Sequence, residues 1–205
     1  MKRGLIVFAR EPLPGKVKTR LAATVGDQLA ASLYDSMLRE VLKSTRQLSD
    51  IETVVFWACR EESLPQLAER YDCTSRRQCQ GHLGERMQAA FTEMFSNGCD
   101  ACCIIGSDAP DLPVAYLIEA YRALEMQHPD VLFGPSRDGG YYLLGLRQVW
   151  PELFTGISWS TPEVLEQSLA AARALGLSTA LLPEWQDIDS VDDLLDFQER
   201  NKGNR

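Results

Sequence analysis

Residues 101–110 read ACCIIGSDAP, and the rest of the chain is best understood from this segment. Five small or apolar residues end abruptly in Gly-Ser-Asp. A short apolar run bounded by turn residues predicts a buried strand, typical of the centre of a parallel sheet. In open α/β sheets, ligands bind just beyond the carboxyl ends of such strands, which is where Asp108 stands. Asp108 would therefore either hold a divalent cation against a phosphate or bond the backbone amides of its own turn.

Strand and helix patterns alternate on both sides of this segment. Short apolar or β-branched runs predict strands, and apolar residues at helical spacing predict the helices between them. This alternation is typical of an α/β sandwich with a largely parallel sheet, here as one domain over residues 1–205 with a disordered tail at 201–205. The predicted strands are 5–8, 53–57, 101–105, 131–135, 141–146 and 179–182, with a further strand near 73–79. The predicted helices are 27–42, 63–70, 84–95, 114–126, 161–176 and 189–197, with Ser63, Thr161 and either Asp189 or Ser190 as N-caps.

The composition restricts the classes of function. The chain has 205 residues and a formal net charge of -8, which argues against a nucleic-acid binder because phosphate neutralisation needs a basic surface. Its six cysteines have neither the spacing of a zinc site nor that of a disulfide framework, and free cysteines are typical of cytosolic proteins. No segment has the pattern of a signal peptide or the length of a membrane span. A cytoplasmic protein is therefore expected.

A basic loop follows the first predicted strand. It holds Arg10, Lys16, Lys18 and Arg20, a large share of the cations in an acidic chain. At a strand end these side chains could bind the phosphates of a nucleotide, with Arg20 able to do so through two parallel hydrogen bonds. The loop lacks the glycine and hydroxyl positions of a Walker A motif, and no GxGxxG is present. The alternative is a solvated basic loop without a ligand.

Two further aspartates follow the last predicted strand, Asp187 and Asp189. They would lie at the same edge of the sheet as Asp108. Magnesium typically takes one or two protein carboxylates together with phosphate oxygens of the substrate, and Asp108 with Asp189 would suit that arrangement. The alternative for Asp189 is that it only caps the final helix.

A third group lies between two predicted strands, in the sequence RDGGYY at 137–142. Paired glycines allow a tight turn or the close approach of a ligand to the backbone. Asp138 would act there as a general base or bind sugar hydroxyls, or the Asp-Gly pair would simply form a hairpin turn. Trp159 would line a pocket or, by default, pack in the core.

Five short motifs occur in an order that is similar to a known family. They are KTRL at 18–21, GERM at 84–87, GSDAP at 106–110, GPSRDGGYY at 134–142 and DID at 187–189. This series resembles the bacterial DUF2064 family of candidate glycosyltransferases, within the nucleotide-diphospho-sugar transferase superfamily of GT-A type fold. The resemblance implies a Rossmann-like three-layer α/β/α sandwich with a mixed, mostly parallel sheet and one antiparallel strand near Gly-Gly-Tyr-Tyr.

The resemblance also implies roles for individual residues. The first loop would hold nucleotide phosphates, and Asp108 would bind the metal, Mg²⁺ or Mn²⁺, with Asp189 as a second ligand. Asp138 and the neighbouring Gly139, Gly140 and Tyr141 would face the sugar or the acceptor.

Three functions remain open at this point. The first is metal-dependent glycosyl transfer from a nucleotide-sugar to a small acceptor, with Lys16, Lys18 and Arg20 assisting departure of the diphosphate and Asp138 deprotonating the acceptor. The second is nucleotidyl transfer to a small phosphorylated acceptor. It is favoured because the metal strand has one aspartate instead of Asp-x-Asp, and because KTRL is similar to the KSRL of 2-phospholactate guanylyltransferases. The third is a nucleotide-binding module without turnover. The sequence leaves the oligomeric state open.

Overall fold

The computed structural model describes residues 1–126 and 128–202, and the side chains up to residue 200. Within these residues, one sheet is formed by seven strands, β1 (Arg3–Arg10), β2 (Ile51–Ala58), β3 (Ser75–Arg77), β4 (Ala101–Ile105), β5 (Val131–Pro135), β6 (Tyr141–Leu146) and β7 (Thr179–Leu181). Their order in the sheet is β3-β2-β1-β4-β6-β5-β7. All neighbouring pairs are parallel except those of β6, which runs antiparallel to both β4 and β5.

Helices cover both faces of this sheet. They are α1 (Thr19–Val25), α2 (Asp27–Thr45), α3 (Leu64–Tyr71), α4 (Leu83–Ser96), α5 (Val114–Met126), α6 (Val164–Ala174) and α7 (Val191–Lys202). On one face, α2 and α5 contribute core residues such as Leu38 and Tyr121, while Phe91 of α4 and Ala172 of α6 belong to a separate core on the other face. The result is the expected three-layer α/β/α sandwich with a mixed, mostly parallel sheet.

Strand β4 lies at the centre, as its apolar sequence predicts. All five of its residues are buried. Cys103 and Ile105 pack in the core on the α2 side, and Cys102 and Ile104 pack in the core on the α4 side. A strand covered on both faces has no place for polar alternation, which explains its uninterrupted apolar run. All six cysteines are free.

Two predicted N-caps, Ser63 and Thr161, make no capping hydrogen bond, although α3 begins directly after Ser63 as predicted. Thr161 does not cap α6, because its Oγ1 donates a hydrogen bond to the Ser158 carbonyl at 2.7 Å and the helix begins at Val164. Ser63 makes no side-chain cap, since it ends a 3-10 turn that leads directly into α3.

Other boundaries also differ from expectation. Helix α1 has no counterpart among the predicted helices, because only Leu21 is buried in its seven residues and so gives no periodic apolar signal. Helix α7 continues to Lys202, beyond the expected end at Phe197. Of the expected disordered tail, residues 203–205 lie outside the described part of the chain. Among the residues that the structure does describe, no helix combines the length and the apolarity needed to cross a membrane.

Candidate functional site

Loops from several strands meet at the carboxyl edge of the sheet, and an ion-paired lysine lies between two of them. Lys18, in the loop after β1, places its Nζ 2.9 Å from Asp108 Oδ1 and 2.6 Å from Asp189 Oδ1. Asp108 follows β4, and Asp189 follows β7. The structure therefore brings together three of the residues that the sequence analysis singled out. We refer to Lys18, Asp108 and Asp189 as the Lys18 cluster.

Buried neighbours hold the Lys18 cluster in place. Val17 and Ile188 belong to the same small hydrophobic core, so the residues that follow each of them, Lys18 and Asp189, are brought to the same point. The Ile188 amide donates a hydrogen bond to the Asp108 carbonyl at 2.9 Å, which ties the β4 loop to the β7 loop. Lys18 itself has a left-handed backbone, with φ 48° and ψ 48°, directly before α1. Such a conformation is unfavourable for a lysine and is kept here by the packing around it.

The start of α7 answers the question of whether Asp189 is only a helix cap. Ser190 Oγ accepts a hydrogen bond from the Asp193 amide at 3.2 Å, and Asp193 Oδ2 accepts one from the Ser190 amide at 2.8 Å. This reciprocal pair is a capping box, so Ser190 is the cap. The carboxylate of Asp189 is not used by the helix and pairs with Lys18 instead.

The Lys18 cluster carries more negative than positive charge. Burial alone would lower the pKa of Lys18, but Asp108 and Asp189 outweigh it and raise that pKa, so the lysine is held as an ammonium. Burial and then the charge of Asp108 raise the pKa of the nearby Asp187 to about 7. One ammonium thus faces the carboxylates of Asp108 and Asp189, with the Asp187 carboxyl group close by, and a further cation would be electrostatically favoured there.

Tyr34 of α2 links two chain segments at this edge of the sheet. Its hydroxyl lies 2.7 Å from Ser107 Oγ and accepts a hydrogen bond from the Arg10 amide at 2.9 Å, so it links the end of β1 to the β4 loop. Burial and the charge of Asp108 raise the pKa of Tyr34 to about 12, which keeps it neutral. Tyr34 is not among the predicted site residues, because a tyrosine at a buried position of an amphipathic helix has the same sequence pattern as any other core residue.

The donor set fits a hard divalent cation that is shared with a substrate. Among residues 1–126 and 128–202, no three His, Cys, Asp or Glu side chains are arranged to hold a metal ion. Asp108 and Asp189 can offer two carboxylates, with side chains that are 35% and 46% exposed and so open to a ligand. Two carboxylates completed by phosphate oxygens and water is the usual magnesium environment. Lys18 already supplies a positive charge at the position between them.

The remaining basic residues of the first loop are arranged differently from Lys18. The side chain of Lys18 is only 4% exposed, whereas Arg10, Lys16 and Arg20 are exposed. In the described part of the chain, none of these three forms an ion pair with a carboxylate. They are available to an anion from solvent, while Lys18 acts within the site.

The segment that joins β5 to β6 forms the Asp-Gly turn, which is one of the two alternatives that the sequence left open. Gly139 donates to the Ser136 carbonyl at 3.1 Å, and Asp138 Oδ1 accepts from the Gly140 amide at 3.0 Å, so the Asp-Gly turn is formed. The exposed Asp138 also lies close enough to Asp187 to contribute to the raised pKa of that residue. Asp138 is therefore both a turn residue and a neighbour of the site.

Gly139 is required by packing. Its φ is +87°, and a Cβ at this position would overlap the Pro162 carbonyl. Its own carbonyl accepts a hydrogen bond from the Leu165 amide at 2.9 Å, which fixes the turn against the start of α6. The glycine thus serves the close approach of two chain segments.

Tyr141 and Trp159, expected near the sugar or acceptor, lie in packing contacts. The ring of Tyr141 packs against Phe133 with a centroid separation of 5.4 Å, and burial raises the pKa of its hydroxyl. Trp159 packs against Gly84 of α4, so closely that a Cβ on that glycine would lie 2.7 Å from the indole nitrogen. Both pack against the core on the α4 side, which for Trp159 is the alternative of core packing named in the sequence analysis. An acceptor-binding role for either remains a prediction without support from these contacts.

A family model and several solved structures match this chain. Residues 41–161 match the family model described as "Uncharacterized protein conserved in bacteria (DUF2064)". No curated protein matches the chain. A candidate nucleotide-diphospho-sugar transferase from Desulfovibrio desulfuricans G20 is 33% identical, over 94% of this chain and 84% of that one, with a TM-score of 0.88.

Two more distant structures share the fold alone. CMP:2-keto-3-deoxy-manno-octonic acid synthetase, solved in complex with CTP, is 13% identical over 100% of both chains, with a TM-score of 0.65. The manganese complex of Rv0371c from Mycobacterium tuberculosis H37Rv is 13% identical over 97% of this chain and 99% of that one, with a TM-score of 0.60. These similarities confirm the fold expected from the five sequence motifs.

Proposed function

The chain belongs to the DUF2064 family, and from that premise and the Lys18 cluster we propose that it is a divalent-metal-dependent transferase with a nucleotide-bound substrate. The leading reaction is glycosyl transfer from a nucleotide-diphospho-sugar to a small acceptor. A relative of 33% identity is named as a candidate nucleotide-diphospho-sugar transferase, which supports this choice. Fold alone would not, because related folds host many different reactions.

One observation carries the proposal. Lys18 Nζ lies 2.9 Å from Asp108 and 2.6 Å from Asp189, so carboxylates from two distant parts of the chain converge on one cation position. Asp187 adds a third carboxyl group beside them. A site of this charge at the carboxyl edge of an α/β sheet suits a metal-bound diphosphate.

The residues would divide the work as follows. Asp108 and Asp189 would hold the Mg²⁺ or Mn²⁺, which when bound neutralises charge on the diphosphate leaving group. Lys16 and Arg20, exposed on the first loop, would bind the phosphate oxygens, joined by Arg10 at the end of β1. Asp138 would accept the proton of the acceptor hydroxyl, since it is exposed and held at the turn beside the site.

Nucleotidyl transfer is a second candidate, favoured by a specific feature of the Lys18 cluster. Asp108 has no second aspartate in the Asp-x-Asp frame, because Gly106 stands there, and its carboxylate partner comes from the β7 loop instead. In such a reaction the same cations would stabilise the attacked α-phosphate and the departing pyrophosphate. The synthetase that shares the fold was solved with a nucleoside triphosphate.

Product analysis tests the proposal directly. The protein is incubated with nucleotide-sugars or nucleoside triphosphates and a panel of small acceptors, with and without Mn²⁺, and released nucleoside diphosphate and pyrophosphate are quantified. Glycosyl transfer predicts that nucleoside diphosphate is released and that its release depends on the metal. Pyrophosphate release would assign nucleotidyl transfer instead.

Matched variants identify the site. Asp108→Asn is expected to abolish product release, whereas Asp50→Asn is expected to retain it, because Asp50 is exposed at the amino end of β2, on the opposite edge of the sheet. Equal activity of both variants would refute the site. Nucleotide binding without product from any donor and acceptor would favour the binding module.

A further inference from the structure

Gln78 connects three parts of the molecule near the carboxyl edge of the sheet. It follows β3 directly, and its side chain is buried. Its Nε2 donates hydrogen bonds to the carbonyls of Ala9, at 3.3 Å, and Phe56, at 2.8 Å, so it spans the carboxyl ends of β1 and β2. Its Oε1 accepts a hydrogen bond from Arg86 Nη1 at 3.1 Å. With both ends of the amide engaged, Gln78 fixes the guanidinium of Arg86 in one orientation.

Arg86 is a partly buried cation without an acidic partner. It lies in the first turn of α4, and its Nε is buried without a hydrogen-bond partner. Among the described residues, no carboxylate forms an ion pair with it. The adjacent Glu85 is turned away, since its carboxylate accepts a hydrogen bond from the His82 amide at 2.9 Å. Buried cations are normally paired, so the guanidinium of Arg86 has unused binding capacity.

Arg10 adds a second cation beside Arg86. Arg10 directly follows Ala9, whose carbonyl accepts a hydrogen bond from the same Gln78 side chain that accepts one from Arg86. Burial lowers the pKa of Arg86, and the positive charge of Arg10 lowers it further. Neither guanidinium forms an ion pair with a carboxylate among the described residues, so the two positive charges repel each other in the free protein. An oxyanion bound between them would relieve this repulsion and engage the free N–H groups.

We propose that Arg86, oriented by Gln78 and completed by Arg10, binds an oxyanion of the substrate at a second subsite. This subsite lies on the β2 side of β1, whereas the Lys18 cluster lies on the β4 side. This proposal rests on the proposed function, because the oxyanion belongs to a substrate of the same transferase. A phosphate of the nucleotide and a phosphate of the second substrate have the same chemistry here, and the experiment distinguishes them.

Calorimetric titration with pyrophosphate and with nucleoside diphosphates tests the subsite. Arg86→Gln is expected to weaken binding of at least one of them by about ten-fold or more, since a charge-assisted hydrogen bond is lost. Arg86→Lys should weaken it less, because the charge remains while the planar fork is lost. Arg122→Gln is the matched control, because Arg122 is exposed on α5, on the other face of the sheet, and should bind as the wild type does.

A purely structural role for Arg86 predicts something else. Loss of the Gln78 hydrogen bond would then lower the melting temperature of Arg86→Gln while every affinity stays unchanged, and that result would overturn the proposal. If Arg86→Gln does not fold, Arg86→Lys decides, because lysine keeps the positive charge at this position while it loses the planar fork of the guanidinium. Unchanged affinities in that variant would also overturn it.

The pattern of affinities identifies the source of the oxyanion. Weakened nucleoside diphosphate binding assigns the subsite to the nucleotide. If that affinity is retained and inorganic phosphate binds the nucleotide-loaded wild type but not Arg86→Gln, the subsite belongs to the second substrate. If the wild type binds pyrophosphate through Arg86 but no nucleotide, the proposed function fails and the subsite stands. A wild type that binds no oxyanion refutes the subsite.

Discussion

Replacing Lys18 with methionine tests the electrostatic basis of the site. The variant keeps the buried aliphatic stem and the left-handed backbone of residue 18 but removes the ammonium between Asp108 and Asp189. Removing one partner of a fully buried ion pair costs about 3–5 kcal/mol, and an exposed pair is worth about 0–1 kcal/mol. Lys18 is 4% exposed, but its partners are 35% and 46% exposed, so an intermediate loss of about 2 kcal/mol is expected.

The same change should increase the response to a divalent cation. In the wild type, a cation at Asp108 and Asp189 competes with the ammonium of Lys18 for the same oxygen atoms. Without the ammonium, Mg²⁺ or Mn²⁺ is expected to bind more tightly and to restore part of the lost stability. A ligand present at 100 times its Kd stabilises the folded state by about 2.7 kcal/mol, so the effect is measurable.

Urea denaturation of the wild type, Lys18→Met and Lys16→Met, each with and without millimolar Mn²⁺, measures both effects. Lys16 is the control because it is exposed in the same loop and forms no ion pair among the described residues. Its replacement should leave the free energy of unfolding nearly unchanged. The reasoning is refuted if Lys18→Met is as stable as Lys16→Met, or if Mn²⁺ stabilises all three proteins equally.

Three further predictions concern loops at the two edges of the sheet. Ser190→Ala should lower the free energy of unfolding by about 1 kcal/mol through loss of the α7 cap, and an unchanged urea midpoint would contradict the cap assignment. Gly139→Ala should lower the free energy of unfolding by about 3 kcal/mol, because the φ of +87° disfavours alanine and the new methyl group would overlap the Pro162 carbonyl. Thermal unfolding measures this change, and a loss below about 1 kcal/mol would contradict the prediction. Asp130 accepts hydrogen bonds from the amide and hydroxyl of Ser178, which hold its pKa below the ordinary 3.8. Its ionised form therefore stabilises the fold above pH 3.8, and this contribution is lost as the pH falls through the lowered pKa. Asp130→Asn should be less stable than the wild type at pH 7 by up to about 1 kcal/mol, with the difference vanishing in acid; a pH-independent difference in denaturation experiments would refute it.

Much of the fold follows from local patterns in the sequence. The apolar run of β4 and the helix at 114–126 were predicted at their observed bounds, because burial on both faces and helical periodicity leave direct signals along the chain. The antiparallel direction of β6 was expected from the family resemblance and is confirmed. Helix α1 escaped prediction because its position is determined by the buried Leu21 and by the backbone of Lys18, neither of which forms a periodic pattern.

The arrangement of the site depends on tertiary contacts more strongly than the order of strands and helices does. Its candidate aspartates could be found in the sequence, because each follows a strand in a turn-rich segment. The sequence could not show whether Asp189 caps a helix or faces a ligand, because both roles favour an aspartate at this position. The hydrogen bonds of Ser190 and Asp193 decided it.

The sequence by itself determined which residues end the strands, and hence the edge of the sheet where chemistry is expected. Only the tertiary structure decided which of these residues meet. Lys18 and Asp189 are 171 residues apart, and their contact depends on Val17 and Ile188 sharing one small core. The orientation of Arg86 likewise depends on its hydrogen bond to Gln78, which is itself held by the carbonyls of Ala9 in β1 and Phe56 in β2. Local patterns record whether a residue is buried, whereas a partner brought close by packing leaves no trace in its neighbours along the chain.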